Sequence, residues 1–447
     1  MSAASRRYPQ TGVFYRALDR EFPLAVSGEG CWLVDDKGRR YLDACGGAYV
    51  ANLGHGVSAV ADAVAEQIRK VAYVNGTAFT NQPAEELAAE LRGLNPKGLD
   101  FAYFLSSGSE AVEAALKLAR QHWVESGKPG KHKIIARTPG YHGNTLLALS
   151  ASAREHYKKV FGPWLVPVTM IGAPYPYRRE ANDPAMTGQA LEDAILKEGA
   201  DTVAAFIAEP VGGSSTGASV PPADYYKNIR RICDEYGVLF IADEVLSGSG
   251  RTGKWAAIDH FGVTPDIMTL GKGLSGGYVP LSAVVATEKV IAPIAKGSGQ
   301  FKHAQTFSHS PAICAAGLAA VRHIKKERLV ERCARVGAVM HGKLAALRDL
   351  PAVGDVRGLG LLAGVEFVAD KKTKAPFARS LRFAETFTAK AQEAGLLVWP
   401  NVGHADGENG DLVMLAPPFI ITETELDELV VRFKTALSAA LEACHVR

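Results

Sequence analysis

From about residue 58 the chain alternates between two apolar rhythms. The segments SAVADAVAEQIRKV, PAEELAAELRGL, EAVEAALKLARQHW and DYYKNIRRICDEYG repeat apolar positions three and four apart, which predicts amphipathic helices. Between and beyond them lie KIIART, TVAAFIAEP, VLFIADEV, DIMTLGKG and LSAVVAT, continuous apolar runs with the length of strands covered on both faces. Alternation of this kind predicts an α/β fold, a mainly parallel central sheet covered by helices. The start of the chain is different. GCWLVDDKGRRYLDAC predicts a hairpin turning at Asp35-Asp36-Lys37-Gly38, with Trp32 and Val34 on one arm and Tyr41 on the other. A long helical pattern near 315–348 gives way to mixed strands (GLLAGVEFV, GLLVWP, DLVMLAPP) and a closing helix, ETELDELVVRFKTALSAALEAC. The simplest partition is a large domain over 61–325 and a small α+β domain assembled from 1–60 and 326–447.

Composition narrows the class of partner. A chain of 447 residues is too long for one simple core, which agrees with two domains. The net charge of +3 makes no case for nucleic acid or an anionic membrane, both of which need a concentrated basic surface. MSAASRRYPQTG lacks the apolar stretch of a signal peptide, and no run of ~18 uncharged apolar residues occurs. Cys31, Cys45, Cys233, Cys314, Cys333 and Cys444 form no CxxC pair. They read as thiols of a cytoplasmic protein, with neither a disulfide framework nor a metal site.

Ligands of open parallel sheets sit beyond the carboxyl ends of the strands, so those ends carry the candidate chemistry. FAYFL runs into Ser106-Ser107-Gly108-Ser109-Glu110 and then a helix. Ser107 and Glu110 have capping-box spacing, and free amides at such a helix start suit a phosphate monoester. KIIART is followed by PGYHGNT, where Tyr141 and His142 either pack a turn or stack on a flat heterocycle. Glu209 closes one apolar strand, and Asp243 with Glu244 closes another. Ionised acids there are costly unless paired, so two such strands predict a shared polar site. Lys272 follows a further strand between two glycines; at the mouth of an apolar pocket its amine becomes a nucleophile for carbonyls.

GSGRTGKW, residues 248–255, imitates a phosphate loop, but Trp255 stands where Mg²⁺ chemistry needs a hydroxyl. A nucleotide-binding protein is therefore the weaker reading. A phosphate cradle, a stacking aromatic, an acid for a ring nitrogen and a reactive amine are together what pyridoxal phosphate requires.

With SSGSEAVEAALKLAR, PGYHG, AEPV, ADEV followed by GSGRTGK, PDIMTLGKGL and TFSHSPAICAAGLA in order, nearly the whole chain resembles the class III, or omega, aminotransferases of fold type I. The resemblance implies that Lys272 carries the cofactor and shuttles a proton, and that Asp243 pairs with the pyridine nitrogen. It places Val245 and Tyr141 on opposite ring faces, with His142 in the same cofactor-binding stretch. Ser107, Gly108 and Ser109 hold the phosphate, which Thr306 of a second subunit completes, so a homodimer is implied, with a tetramer as the larger option. Glu209 matches the family's active-site glutamate; Tyr49, Tyr141, Leu246 and Met414 are the substrate-pocket positions. The implied activity is a ping-pong transamination. The same cradle also serves racemases, aminomutases and decarboxylases, which remain the alternative.

One departure bears on the substrate. Members acting on ornithine-type substrates carry an arginine where this chain has Met414, and amine-type members carry a mobile one near the equivalent of 408–410. Here no arginine occurs between Arg382 and Arg432. Methionine cannot replace a bidentate guanidinium, so another group binds a substrate acid or the donor carries none there. His404, Lys254 and Arg16 are the candidates, and an amine or omega-amino acid donor, with a small keto acid such as pyruvate as acceptor, is favoured.

Overall fold

The computed structural model describes residues 6–446. Near the N-terminus β1 (Ala25–Glu29), β2 (Trp32–Asp35) and β3 (Arg40–Asp43) form an antiparallel meander. Its hairpin turns where predicted. Gly38 takes φ 75°, and the Asp35 carboxylate accepts the Lys37 and Arg39 amides, closing the turn.

The centre is a seven-stranded sheet of β4 (Leu99–Leu105), β5 (Lys133–Thr138), β6 (Thr169–Gly172), β7 (Val203–Ala208), β8 (Leu239–Asp243), β9 (Ile267–Leu270) and β10 (Ser282–Thr287), in the order β4-β10-β9-β8-β7-β5-β6. β10 runs antiparallel to both its neighbours; the other six strands share one direction. Alternate residues explain why these runs are continuously apolar. Ile207, Leu239 and Ile241 pack on one face against Val112, Ala115 and Leu116 of the helix Gly108–Glu125. Phe206, Phe240 and Ala242 join the core on the other face.

The C-terminal part contributes β11 (Val353–Leu359), β12 (Leu362–Phe367), β13 (Leu396–Leu397), β14 (Trp399–Val402) and β15 (Asp411–Leu415). β13 joins β3 in parallel, tying the two ends of the chain into one sheet; the rest form a second sheet in the order β11-β12-β15-β14. The helical pattern near 315–348 is two helices, Pro311–Lys326 and Leu329–Ala345, because Arg328 adopts φ 51° and turns the chain between them. The closing helix Glu423–Ala443 begins in a full capping box of Thr422 and Glu425.

Candidate active site

Because β4, β5, β7, β8 and β9 point the same way, their carboxyl ends surround one cavity of about 610 Å³. Its wall contains Gly108, Ser109, Tyr141, His142, Glu209, Asp243, Val245, Leu246, Lys272 and, from the N-terminal part, Tyr49.

The helix start forms first. The Ser107 hydroxyl accepts the Glu110 amide at 3.3 Å, but the Glu110 carboxylate answers to the Ser106 amide at 3.1 Å, so the capping box is shifted by one residue. Ser107 thus serves as the cap, while Gly108 and Ser109 line the cavity with first-turn amides that no helical carbonyl can reach, an arrangement suited to an anion. The Ser109 hydroxyl donates to Asn144 Oδ1 at 2.9 Å and accepts the Asn144 amide at 3.0 Å, joining this helix to the loop after β5. Backbone and side chains are close here. A Cβ on Gly108 would lie 2.6 Å from Val245 Cγ1, and one on Gly143 2.6 Å from Ser109 Oγ.

Asp243, at the end of β8, accepts three hydrogen bonds: from His142 Nδ1 at 2.6 Å, Thr269 Oγ1 at 3.0 Å and the Val245 amide at 3.1 Å. A carboxylate has about four acceptor sites, so one remains for a further N–H. β8 ends at Asp243, so Val245 reaches the cavity from the following turn and not from the same strand face. Glu244 points away; it accepts Ser247 Oγ and the Ile258 amide, and burial lifts its pKa to about 7.

Glu209 accepts the Gly213 amide at 2.9 Å and the Tyr141 amide at 3.3 Å, which links its loop to that of the aromatic. Burial raises its pKa. Lys272 sits just past β9 with φ 43°, its Nζ 5.5 Å from the centre of the Tyr49 ring. Desolvation lowers its pKa, against the opposing pull of Asp243 and Glu209.

Several candidates fall elsewhere. Met414 does not reach the cavity wall: it lies on β15, an interior strand, fully buried and paired with Gly364 and Trp399. The edge strand β14 lines the cavity instead, through Trp399, Asn401 and Val402. Thr306 is exposed and apart from this cavity, and its carbonyl accepts the Tyr73 hydroxyl. His404 is buried against Glu366 in a cluster with Arg178 and Arg357 and does not line the cavity. Lys254 donates to the Asp259 carbonyl at 2.8 Å on the surface. The surrounding GSGRTG segment opens no phosphate-binding helix. Gly250 packs on Val330 and Phe419, Gly253 on Ala334, and Arg251 is fully buried, donating to the Leu361 and Pro417 carbonyls. The glycines serve close packing against the C-terminal part. Of the three candidate acid-binding groups only Arg16 borders the cavity, from an exposed position beside Tyr157.

Besides the β14 residues, a cation of the wall went unforeseen. Arg154 lines the wall, its guanidinium 5.2 Å from the Tyr141 ring centre and donating to Asn401 Oδ1 and Ser214 Oγ. In the sequence it stands in SAREHYKK, a polar stretch without a strand end beside it.

Residues 16–437 match the family aminotransferase class-III, and the chain belongs to it. It is 39% identical to an uncharacterized aminotransferase of Schizosaccharomyces pombe over 96% of each chain. Among solved structures it is similar to an (S)-enantioselective omega-transaminase of Thermomicrobium roseum (TM-score 0.88, 37% identity, 94% of each chain) and to the omega transaminase of Pseudomonas jessenii in complex with PMP (TM-score 0.90, 32% identity, 98% of each chain). The fold is that of the class III transaminases, and the cofactor of the family is pyridoxal phosphate. The residues present fit that group: glycines at a helix start for the phosphate, an acid with acceptor capacity to spare and a desolvated amine share one cavity.

Proposed function

We propose that this aminotransferase moves an amino group from an amine or omega-amino acid to a small keto acid, pyruvate being the simplest, in two alternating half-reactions. The observation that carries the reading is the desolvated Lys272 amine in one cavity with the Asp243–His142 pair. The similarity to transaminases favours transfer over racemase, aminomutase or decarboxylase chemistry.

Bound pyridoxal phosphate supplies an electron sink that acidifies the C–H of an attached amine. The residues divide the remaining work. Gly108 and Ser109 amides would hold the phosphate, joined by Thr306 of a second protomer. Asp243, oriented by His142 and Thr269, would accept the pyridine N–H, a charge-assisted bond worth about 1.5–3 kcal/mol. Val245 and Tyr141 would flank the ring. Lys272 Nζ, neutral more readily than an exposed lysine, would take the proton from the donor carbon and return it. Tyr49 and Leu246 would shape the pocket, and Glu209 would fix the Tyr141 loop through its amide.

A homodimer in the cytoplasm is the proposed setting. Tyr73 and Phe307, both exposed beside Thr306, are apolar surface that a second copy would cover. Among the described residues no helix is long and apolar enough to cross a membrane. The test is a panel of amines and omega-amino acids added to the holoenzyme without acceptor. Carbonyl product in an amount matching the active sites supports the reading; no carbonyl from any donor refutes it.

A further inference from the structure

One cation of the cavity wall has no ion-pair partner. Arg154 meets only neutral acceptors, Asn401 Oδ1 and Ser214 Oγ, and makes no salt bridge among the described residues. Guanidinium has five N–H donors, so about three stay free after these two bonds. The cavity also desolvates it, which lowers its pKa against the pull of Glu209 and Tyr49. A cation removed from water and left unpaired is costly unless a ligand brings the counter-charge. A second polar group of the same wall is also unsatisfied: the Tyr49 hydroxyl has no hydrogen-bond partner, although Tyr49 is only 3% exposed.

The other basic groups of the wall are committed or solvated. Lys272 is the reactive amine. Arg16 is exposed and turned to the Tyr157 hydroxyl. His156 is held toward its neutral form by desolvation and by Arg154 itself. We propose that Arg154, with the unpartnered Tyr49 hydroxyl of the same wall, is the receptor for the substrate carboxylate. It does the work that Met414, buried in β15, cannot do.

Placement restricts the substrate class. Lys272 Nζ stands 5.5 Å from the centre of the Tyr49 ring, and Arg154 lines the same cavity, so carboxylate and reacting nitrogen share one enclosure. The ligands that suit it are short acids with one carboxylate: a small keto acid in one half-reaction and an omega-amino acid in the other. The stack of Arg154 on Tyr141 and its bonds to Asn401 and Ser214 hold the fork in place, which makes it a preorganised receptor and not a mobile one.

This proposal rests on the amine-transfer reading, yet it can be tested apart from it. Propionate and its neutral isostere propionamide are titrated into holoenzyme by calorimetry, for the wild type, Arg154→Met and Arg154→Lys. The wild type is expected to prefer propionate. Arg154→Met should lose that preference by roughly 10- to 150-fold, the range of one charge-assisted bond, and Arg154→Lys should keep part of it. In parallel the ratio of β-alanine to n-propylamine half-reaction rates should fall by a similar factor in Arg154→Met. An unchanged propionate-to-propionamide ratio in both variants, or no preference in the wild type, overturns the receptor. Loss of preference in Arg154→Met alongside no carbonyl release from any amine would leave the receptor standing and overturn the transaminase reading instead.

Discussion

His142 Nδ1 lies 2.6 Å from Asp243 Oδ2, and the two side chains are 1% and 4% exposed. They come from the ends of different strands, 101 residues apart, and meet only because β5 and β8 point the same way. The imidazole fixes one oxygen of the acid while Thr269 and the Val245 amide fix the other. Asp243→Asn removes the charge that would meet the pyridine nitrogen. Its cofactor affinity should fall roughly 10- to 150-fold, read by equilibrium dialysis of the holoenzyme. His142→Ala should fall less, by about tenfold, since Asp243 keeps its charge and two of three donors. Equal losses in the two variants would contradict this division of roles.

Gly108 and Val245 are packed so closely that a methyl group between them has no room: a Cβ on Gly108 would stand 2.6 Å from Val245 Cγ1. Gly108→Ala should cost about 1–3 kcal/mol of overpacking, seen as a lower Tm, and should weaken cofactor binding by displacing the helix start. Adding Val245→Ala makes the space, so the double variant should recover stability relative to Gly108→Ala. Additive losses in the double variant would show that the contact is not the cause.

The Lys272 amine gives a pH dependence with a definite sign. Its pKa in the folded chain lies below the ordinary value of 10.5 because its charged form is desolvated. Folding therefore penalises the protonated amine. The penalty is absent above the unfolded pKa, appears as pH falls below it, and is complete below the folded pKa. In cofactor-free protein Lys272→Met, which carries no charge, should be more stable than the wild type at neutral pH. That advantage should shrink as pH rises toward 10.5, measured as the difference in urea midpoint. An advantage independent of pH would locate its origin in packing.

Thr306 is exposed and apart from the cavity of its own chain. If it serves a second protomer's phosphate, Thr306→Ala should weaken cofactor retention about tenfold, the scale of one lost hydrogen bond to a charged group. Wild-type retention should also fall on dilution as the dimer dissociates. Analytical ultracentrifugation across the same concentrations ties the two effects together; retention in a proven monomer equal to that in the dimer would remove Thr306 from the site.

Much of this arrangement was legible in the chain because it is local. The run KIIART is β5, residue for residue, and the hairpin turn at Gly38 follows from short-range turn chemistry. The acid, the amine and the glycine-rich helix start stand out because polar residues interrupt apolar runs. Direction and depth are not local. An apolar run reads the same forwards and backwards, so the antiparallel sense of β10 leaves no mark in LSAVVAT. Met414 stood as a pocket position because members of the family carry an arginine there, yet interior placement in the sheet turns it into core; the edge strand β14 lines the cavity instead. Arg154 stood unnoticed among EHYKK because nothing local separates a cation drawn into a cavity from one in water. GSGRTGKW misled in the opposite way, since close packing and phosphate binding both call for glycine.

Lys272, in the cavity of Asp243 and His142, is proposed to transfer the protons of amine exchange. The most direct measurement is a single-turnover reaction of holoenzyme with excess amine donor and no acceptor, followed by the carbonyl released, in wild type and Lys272→Ala. About one carbonyl per active site is expected from the wild type and none from the variant on that timescale. Carbonyl release at the wild-type rate from Lys272→Ala would contradict it.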